Sequence, residues 1–149
     1  MLTVLRFLFL VPAGFVAATL AAAFALVWPF VDLPPSPDPF LIAEIVFAVI
    51  AQAAQIGAAI ILPFALFVLA SEVLGLSSIL LHLLAGVLGG GTLLVLAYGR
   101  ALPHASIQVA AMVAALSFAL VYWIVAGNSA GRWRARFRAP TPAPRTDEG

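Results

Sequence analysis

The sequence predicts an all-α membrane protein with four transmembrane helices in an up-down-up-down bundle. Four apolar stretches, over 2–28, 40–70, 78–98 and 105–127, make up most of the 149 residues. Each reaches the ~20 residues that a helix needs to cross a ~30 Å hydrocarbon core. Hydrophobic residues form 64% of the chain and charged residues 9%, against ~25% charged in soluble domains. The stretches do not alternate as barrel strands do, so a backbone in lipid must be helical.

The composition also excludes several kinds of chemistry. The chain contains no cysteine, which rules out disulfides, thiol catalysis and thiolate metal sites. The glycine run 89–91 has no Lys-Ser/Thr after it, so it is not a phosphate loop. No Ser/His/acid set, carboxylate pair or cofactor motif falls at one predicted depth. We therefore predict a protein that is not an enzyme, with no catalytic, cofactor or metal site.

The first predicted helix covers 2–28 and could be mistaken for a secretory signal. A cleavage site after Ala25 is conceivable, but signal cores span only ~7–15 apolar residues and this stretch is longer. We expect an uncleaved helix and keep cleavage as the alternative. Small residues recur on it at four-residue spacing, which lets two helix backbones approach closely. The residues of this predicted packing face are Gly14, Ala18 and Ala22.

The start of the second helix is marked by a capping residue followed by proline. Asp38 occupies a natural N-cap position and Pro39 the first helical position, a pairing that favours a helix start. The helix is expected to end at Ala70 and to be longer than the membrane core is thick. A tilt, or a kink at Pro63, would absorb the excess. A tight turn is predicted over 71–77.

The starts of the third and fourth helices are each marked by a single residue. Ser77 can cap the third helix, and Pro103 is placed to start the fourth. Gly86 and Gly90 are four residues apart on the third helix, and this spacing predicts close packing against a neighbour. The domain formed by all four helices is expected to cover 1–131.

Polar residues on the second and third helices are the candidates for contacts between helices. Gln52 and Gln55 are three residues apart, and Glu44 falls on the same face two turns earlier. Gln55 and Thr92 should lie at the same depth and meet. One interpretation is adhesion, at ~0.6 kcal/mol per membrane hydrogen bond. The alternative is a polar track for a substrate or proton.

Two ionisable residues have specific expected partners. Glu44, near the outer surface, is expected to pair with Arg100 or to hydrogen-bond Gln108. His82 is expected to face another helix, where Glu72 could hold it. A metal site needs several convergent ligands, so we interpret His82 as a packed, hydrogen-bonded side chain.

Positive charge is concentrated after the last helix. Five of the seven arginines lie in 132–145 and Arg6 lies at the other end, so the positive-inside rule predicts that both termini are cytoplasmic. The segment 132–139 should form a basic amphipathic element that binds anionic headgroups at ~1 kcal/mol per arginine; nucleic-acid binding is not expected. A disordered tail is predicted over 140–149. The expected headgroup contacts are Arg132, Trp133, Arg134, Arg136, Phe137 and Arg138.

The end of the fourth helix carries a resemblance. Tyr122-Trp123-x-x-Ala126-Gly127-x-x-Ala130-Gly131-Arg132-Trp133 resembles the ending of small, uncharacterised four-helix bacterial inner-membrane proteins. The resemblance covers the last helix and the tail. It implies a bacterial inner-membrane location and brings no activity and no functional residues.

Two functions follow as hypotheses. The leading one is a non-catalytic integral inner-membrane protein that packs with itself or with a larger membrane complex, because small-residue faces are abundant. The alternative is a small oligomeric transporter or channel with a polar track along the second helix.

Overall fold

The computed structural model describes residues 6–99 and 101–130, which form four long helices and no strand. The prediction of an all-α, four-helix protein is confirmed, and each helix is long and apolar enough to cross a membrane. This indicates a multi-pass membrane protein. The alternating direction of the helices stays a prediction. The helices are α1 (Val11–Val27), α2 (Pro39–Leu74), α3 (Ile79–Tyr98) and α4 (Ala105–Val125).

Helix α1 is extended at both ends by turns of different pitch. A π-helical segment, Arg6–Leu10, precedes it and a 3-10 turn, Trp28–Phe30, follows it. Pro12 lies in the first turn of α1. Proline has no N–H, and its ring crowds the carbonyl four residues earlier. The wider π-helical turn before α1 relieves this crowding.

Helix α2 begins as predicted but ends later. The Asp38 carboxylate accepts a hydrogen bond from the Leu41 amide at 2.7 Å, with Pro39 next in the chain; this start is confirmed. The helix continues four residues past the expected end at Ala70, so the first part of the predicted 71–77 turn is helical. The reason is local, because neither glycine nor proline occurs between Ala70 and Gly75. That glycine adopts the left-handed conformation, with φ 72°, and terminates the helix.

Helix α3 starts one residue later than the predicted residue 78, and α4 starts at the predicted residue 105. Ser78, rather than Ser77, precedes α3, and its side chain makes no capping bond. His104, which follows Pro103, is the N-cap residue of α4. The His104 ring accepts a hydrogen bond from the Ser106 amide. An imidazole nitrogen thus satisfies one of the unpaired amides of the first turn.

The first and last helices form the middle of the bundle. Helix α1 packs against α4 and α2, and α3 packs against α4. Helices α2 and α3 are consecutive in sequence but lie against different neighbours. The buried centre joins α1, α2 and the end of α4, and the residues of this cluster are Ala18, Val68, Tyr122 and Ala126.

Candidate functional site

His82 is the most buried large side chain in the described part of the protein, with 2% of its surface exposed. Its Nδ1 atom lies 2.9 Å from the carbonyl oxygen of Ser78. Because a carbonyl can only accept, Nδ1 must donate this bond. In the neutral ring Nε2 then carries a lone pair. It has no hydrogen-bond partner among residues 6–99 and 101–130.

The surroundings of His82 come from three other segments. Phe67 of α2 meets the imidazole edge-on with 5.1 Å between centroids. Tyr122 of α4 lies 6.1 Å away in a nearly parallel orientation. The backbone of Gly127 closes the remaining side, since a Cβ there would stand 2.7 Å from Nε2. The sequence-based interpretation of His82 as a packed, hydrogen-bonded side chain agrees with this arrangement, but the ring bonds to a backbone carbonyl and not to Glu72, the partner that the sequence suggested.

Other polar groups lie at the same end of the bundle. Ser71 and Glu72 are both buried in the last turn of α2, and the Ser71 hydroxyl donates to the Val68 carbonyl at 2.9 Å. The Trp123 indole donates to the carbonyl of Ser77 at 2.8 Å. This bond ties α4 to the turn between α2 and α3. The described residues contain no group of three His, Asp or Glu side chains placed to hold a metal ion.

The polar residues of α2 do not face the bundle as a set. Gln55 and Glu44 are exposed and Gln52 is half-buried. The most buried positions in the middle of α2 are Ala53 and Gly57, and Gln55 is rotated well away from both. Its amide is therefore directed away from the other helices of its own chain.

The expected contact between Gln55 and Thr92 is not formed. Both side chains are exposed, and the Thr92 hydroxyl donates within its own helix, to the Leu88 carbonyl at 2.7 Å. The physical reason is the packing order, because α2 lies on α1 while α3 lies on α4. The short link therefore brings α2 and α3 together near the link itself, where Phe67 meets His82, and the packing order separates them at the depth of Gln55 and Thr92.

Gln108, one of the two expected partners of Glu44, hydrogen-bonds to another residue. The Gln108 side-chain amide donates to the carbonyl of Pro103 at 2.8 Å. This bond holds the Gln108 side chain at the start of α4. Arg100 lies outside the described residues. Glu44 itself is exposed on α2.

The predicted packing residues of α1 and α3 lie against α4. The α1 face of Gly14, Ala18 and Ala22 is buried. On α3, a Cβ at Gly86 would stand 2.8 Å from the Ala119 Cβ, and one at Gly90 would stand 2.6 Å from the Ala115 Cβ. Both distances are shorter than real Cβ contacts, so α3 and α4 approach as only glycine permits.

Two further glycines that contact other helices were not predicted from the sequence. Gly57 of α2 is buried against Phe15 and Thr19 of α1. The spacing of Ala53 and Gly57, four residues apart, was the signal that could have revealed it. Gly127 was interpreted only as the end of the fourth helix, and its contact with His82 has no local sequence signal.

An apolar groove of about 400 Å³ lies between α1 and α2. Phe15, Leu20, Ile50 and Ile61 contribute to its walls. Thr19 also lines it, but its hydroxyl donates to the Val16 carbonyl at 2.9 Å. The groove therefore suits an apolar chain rather than a polar ligand.

The predicted headgroup-binding residues fall outside the part of the chain that the structure describes. Their lipid contacts stay a prediction from the sequence. These residues are Arg132, Trp133, Arg134, Arg136, Phe137 and Arg138.

Comparisons with protein-family models, with curated proteins and with solved structures found no match for this chain.

Proposed function

We propose that this chain is a non-catalytic integral protein of a bacterial inner membrane that packs with itself or with a larger membrane complex. The observation that carries the proposal is the exposed amide of Gln55 near the middle of α2. Lipid supplies no hydrogen-bond partner at that depth. Glutamine side chains in membrane helices form hydrogen bonds across to neighbouring helices. A surface that another protein covers would supply the missing partner.

The low burial of two helices supports the same proposal. Only 11% of the most apolar window of α2 and 6% of that of α3 is buried inside the protein. Apolar exposure alone is normal in lipid. An exposed amide near the middle of a membrane helix is not, and α2 carries one at Gln55.

The proposed orientation has both termini in the cytoplasm. Arg6 and the arginines of 132–145 would share that side, and the acidic residues Asp32 and Asp38 would lie on the other. The basic segment would then contact anionic headgroups of the inner leaflet.

Cross-linking in native membranes, followed by extraction in mild detergent, tests this function. We expect the 15.5 kDa chain to be recovered in a larger species, either a homo-oligomer or a complex with other membrane proteins. Recovery as an unlinked monomer at native expression level, with no co-purifying protein, would contradict the proposal.

The alternative is a small oligomeric transporter or channel. The observation in its favour is that Glu44 and Gln55 lie on one exposed face of α2, which several copies could arrange around a common path. Solute or proton flux into proteoliposomes, measured for the wild type and for Gln55→Leu, separates the two functions. If Gln55→Leu abolishes the flux seen with the wild type, the transport function is supported. If the wild type and the variant give equal flux, the transport function is ruled out.

A further inference from the structure

We infer that a second copy of this chain docks on α2 through the face that carries Gln55, with the two α2 helices running parallel. This inference rests on the proposed function and names both the surface and the partner. Its starting point is the set of polar groups that α2 presents away from its own bundle.

The docking surface, called here the α2 outer face, consists of residues spaced alternately by four and three. Such spacing forms the seam of packed helix pairs. Five of the six side chains are exposed and that of Ala51 is half-buried. The face consists of Glu44, Ala48, Ala51, Gln55, Ala58 and Leu62.

One side chain on this face and one backbone carbonyl beside it lack their usual hydrogen-bond partner within α2. The Gln55 side chain is exposed. One turn later, the carbonyl of Ala59 has no amide donor from residue 63, because Pro63 lies inside the helix and proline carries no N–H. The hydrocarbon core offers nothing to either group. A partner that supplies donors and acceptors at this depth would satisfy both.

A second copy has the required chemistry at the required depth. Copies inserted in the same orientation place identical residues at equal distances from the membrane surface. The glutamine amide is both a donor and an acceptor, so Gln55 of one copy complements Gln55 of another. Ala48, Ala51 and Ala58 keep the seam narrow, so that two short amides can reach each other.

The same geometry places two carboxylates opposite each other near the outer end of the seam. Glu44 of each copy would lie at the same depth as its counterpart, and two like charges at close range repel. The docking mode therefore predicts opposite effects at two positions of one face. Removing the charge of Glu44 should strengthen association, and removing the amide of Gln55 should weaken it.

The test is self-association in liposomes, measured by energy transfer between donor- and acceptor-labelled copies as the protein is diluted in lipid. Gln55→Leu should raise the dissociation constant about three- to eightfold, which corresponds to one or two average membrane hydrogen bonds. Ala48→Leu should raise it further by widening the seam, and Glu44→Gln should lower it.

Matched controls lie on α3, where Thr92 and Ala97 are also exposed. Thr92→Val and Ala97→Leu should leave the dissociation constant unchanged. The thermal stability of each variant in detergent at monomeric dilution should also match the wild type, since the α2 outer face is exposed in one copy.

The outcomes distinguish this inference from the proposed function. Wild-type self-association that Gln55→Leu and Ala48→Leu leave unaltered would overturn the docking surface while the proposed function stands. A wild type that stays monomeric in lipid would overturn the docking partner, and only a co-purifying complex would then support the proposed function. A monomer with no such complex would overturn both.

Discussion

The Nε2 atom of His82 lies 2.7 Å from the place that a Cβ at Gly127 would occupy. The ring cannot move aside easily, because its Nδ1 atom is bonded to the Ser78 carbonyl and its face is held by Phe67 and Tyr122. The absence of a side chain at residue 127 is therefore what allows an imidazole to be buried at this end of the bundle.

The first prediction concerns Gly127→Ala. The added methyl group should destabilise the folded protein by about 1–3 kcal/mol, the usual cost of overpacking a close-packed interior. Unfolding in mixed detergent micelles, followed by circular dichroism, measures it. In the His82→Ala background the same substitution should cost clearly less. Equal costs in both backgrounds would show that the two residues do not interact.

The second prediction compares two adjacent glycines of α3. A Cβ at Gly90 would stand 2.6 Å from the Ala115 Cβ, whereas one at Gly89 meets nothing within 4 Å. Gly90→Ala should therefore destabilise by about 1–3 kcal/mol. Gly89→Ala should stabilise by up to about 0.5–1 kcal/mol through the better helix propensity of alanine. The same unfolding assay checks both, and effects of the same sign would contradict the packing of α3 on α4.

The third prediction concerns the hydrogen bond between Trp123 and Ser77. Trp123→Phe removes the donor and should cost about 0.6 kcal/mol, the average for a membrane hydrogen bond. Trp28→Phe serves as the control, because Trp28 is 48% exposed. A larger loss at Trp28 than at Trp123 would argue against the role of this bond in holding α4 to the α2–α3 turn.

The fourth prediction concerns orientation. Neutralising Arg132, Arg134, Arg136 and Arg138 together removes most of the positive charge that, by the positive-inside rule, sets the orientation of the protein. The tail should then become partly accessible to protease added outside spheroplasts, while the wild-type tail stays protected. Arg100→Gln is the matched control and should not expose the tail. Unchanged protection of the neutralised tail would remove these arginines as the determinant.

Hydrophobic length and helix-end signals predicted most of the fold. Four helices were predictable because each stretch exceeds the thickness of the membrane core, and Asp38 with Pro39 marks one start unambiguously. The end of α2 was placed too early. A run such as Ser71-Glu72-Val73 reads as a polar turn in the sequence, but helix continues until a residue such as Gly75 terminates it.

Neighbour relationships were less predictable than the helices themselves. A short connection between α2 and α3 suggested that Gln55 and Thr92 meet, but close packing follows shape rather than chain order. The glycine and alanine faces of α1 and α3 pack on α4, and the α2 face that carries Gln55 is turned away from them. The fit of His82 against Gly127 joins residues 45 positions apart, and no periodicity within either segment encodes it.

The central position of α1 and α4 has a consequence for biogenesis. Because α1 leaves the ribosome before the other three helices of this bundle and finds its main partner in α4, the interior cannot close until synthesis has passed residue 125. Until then the Gly14 face of α1 stays uncovered in the bilayer, where an insertase or another membrane chaperone has time to hold it. Chains released before that point would carry the same uncovered face, a mark by which a membrane protease can distinguish them from finished molecules.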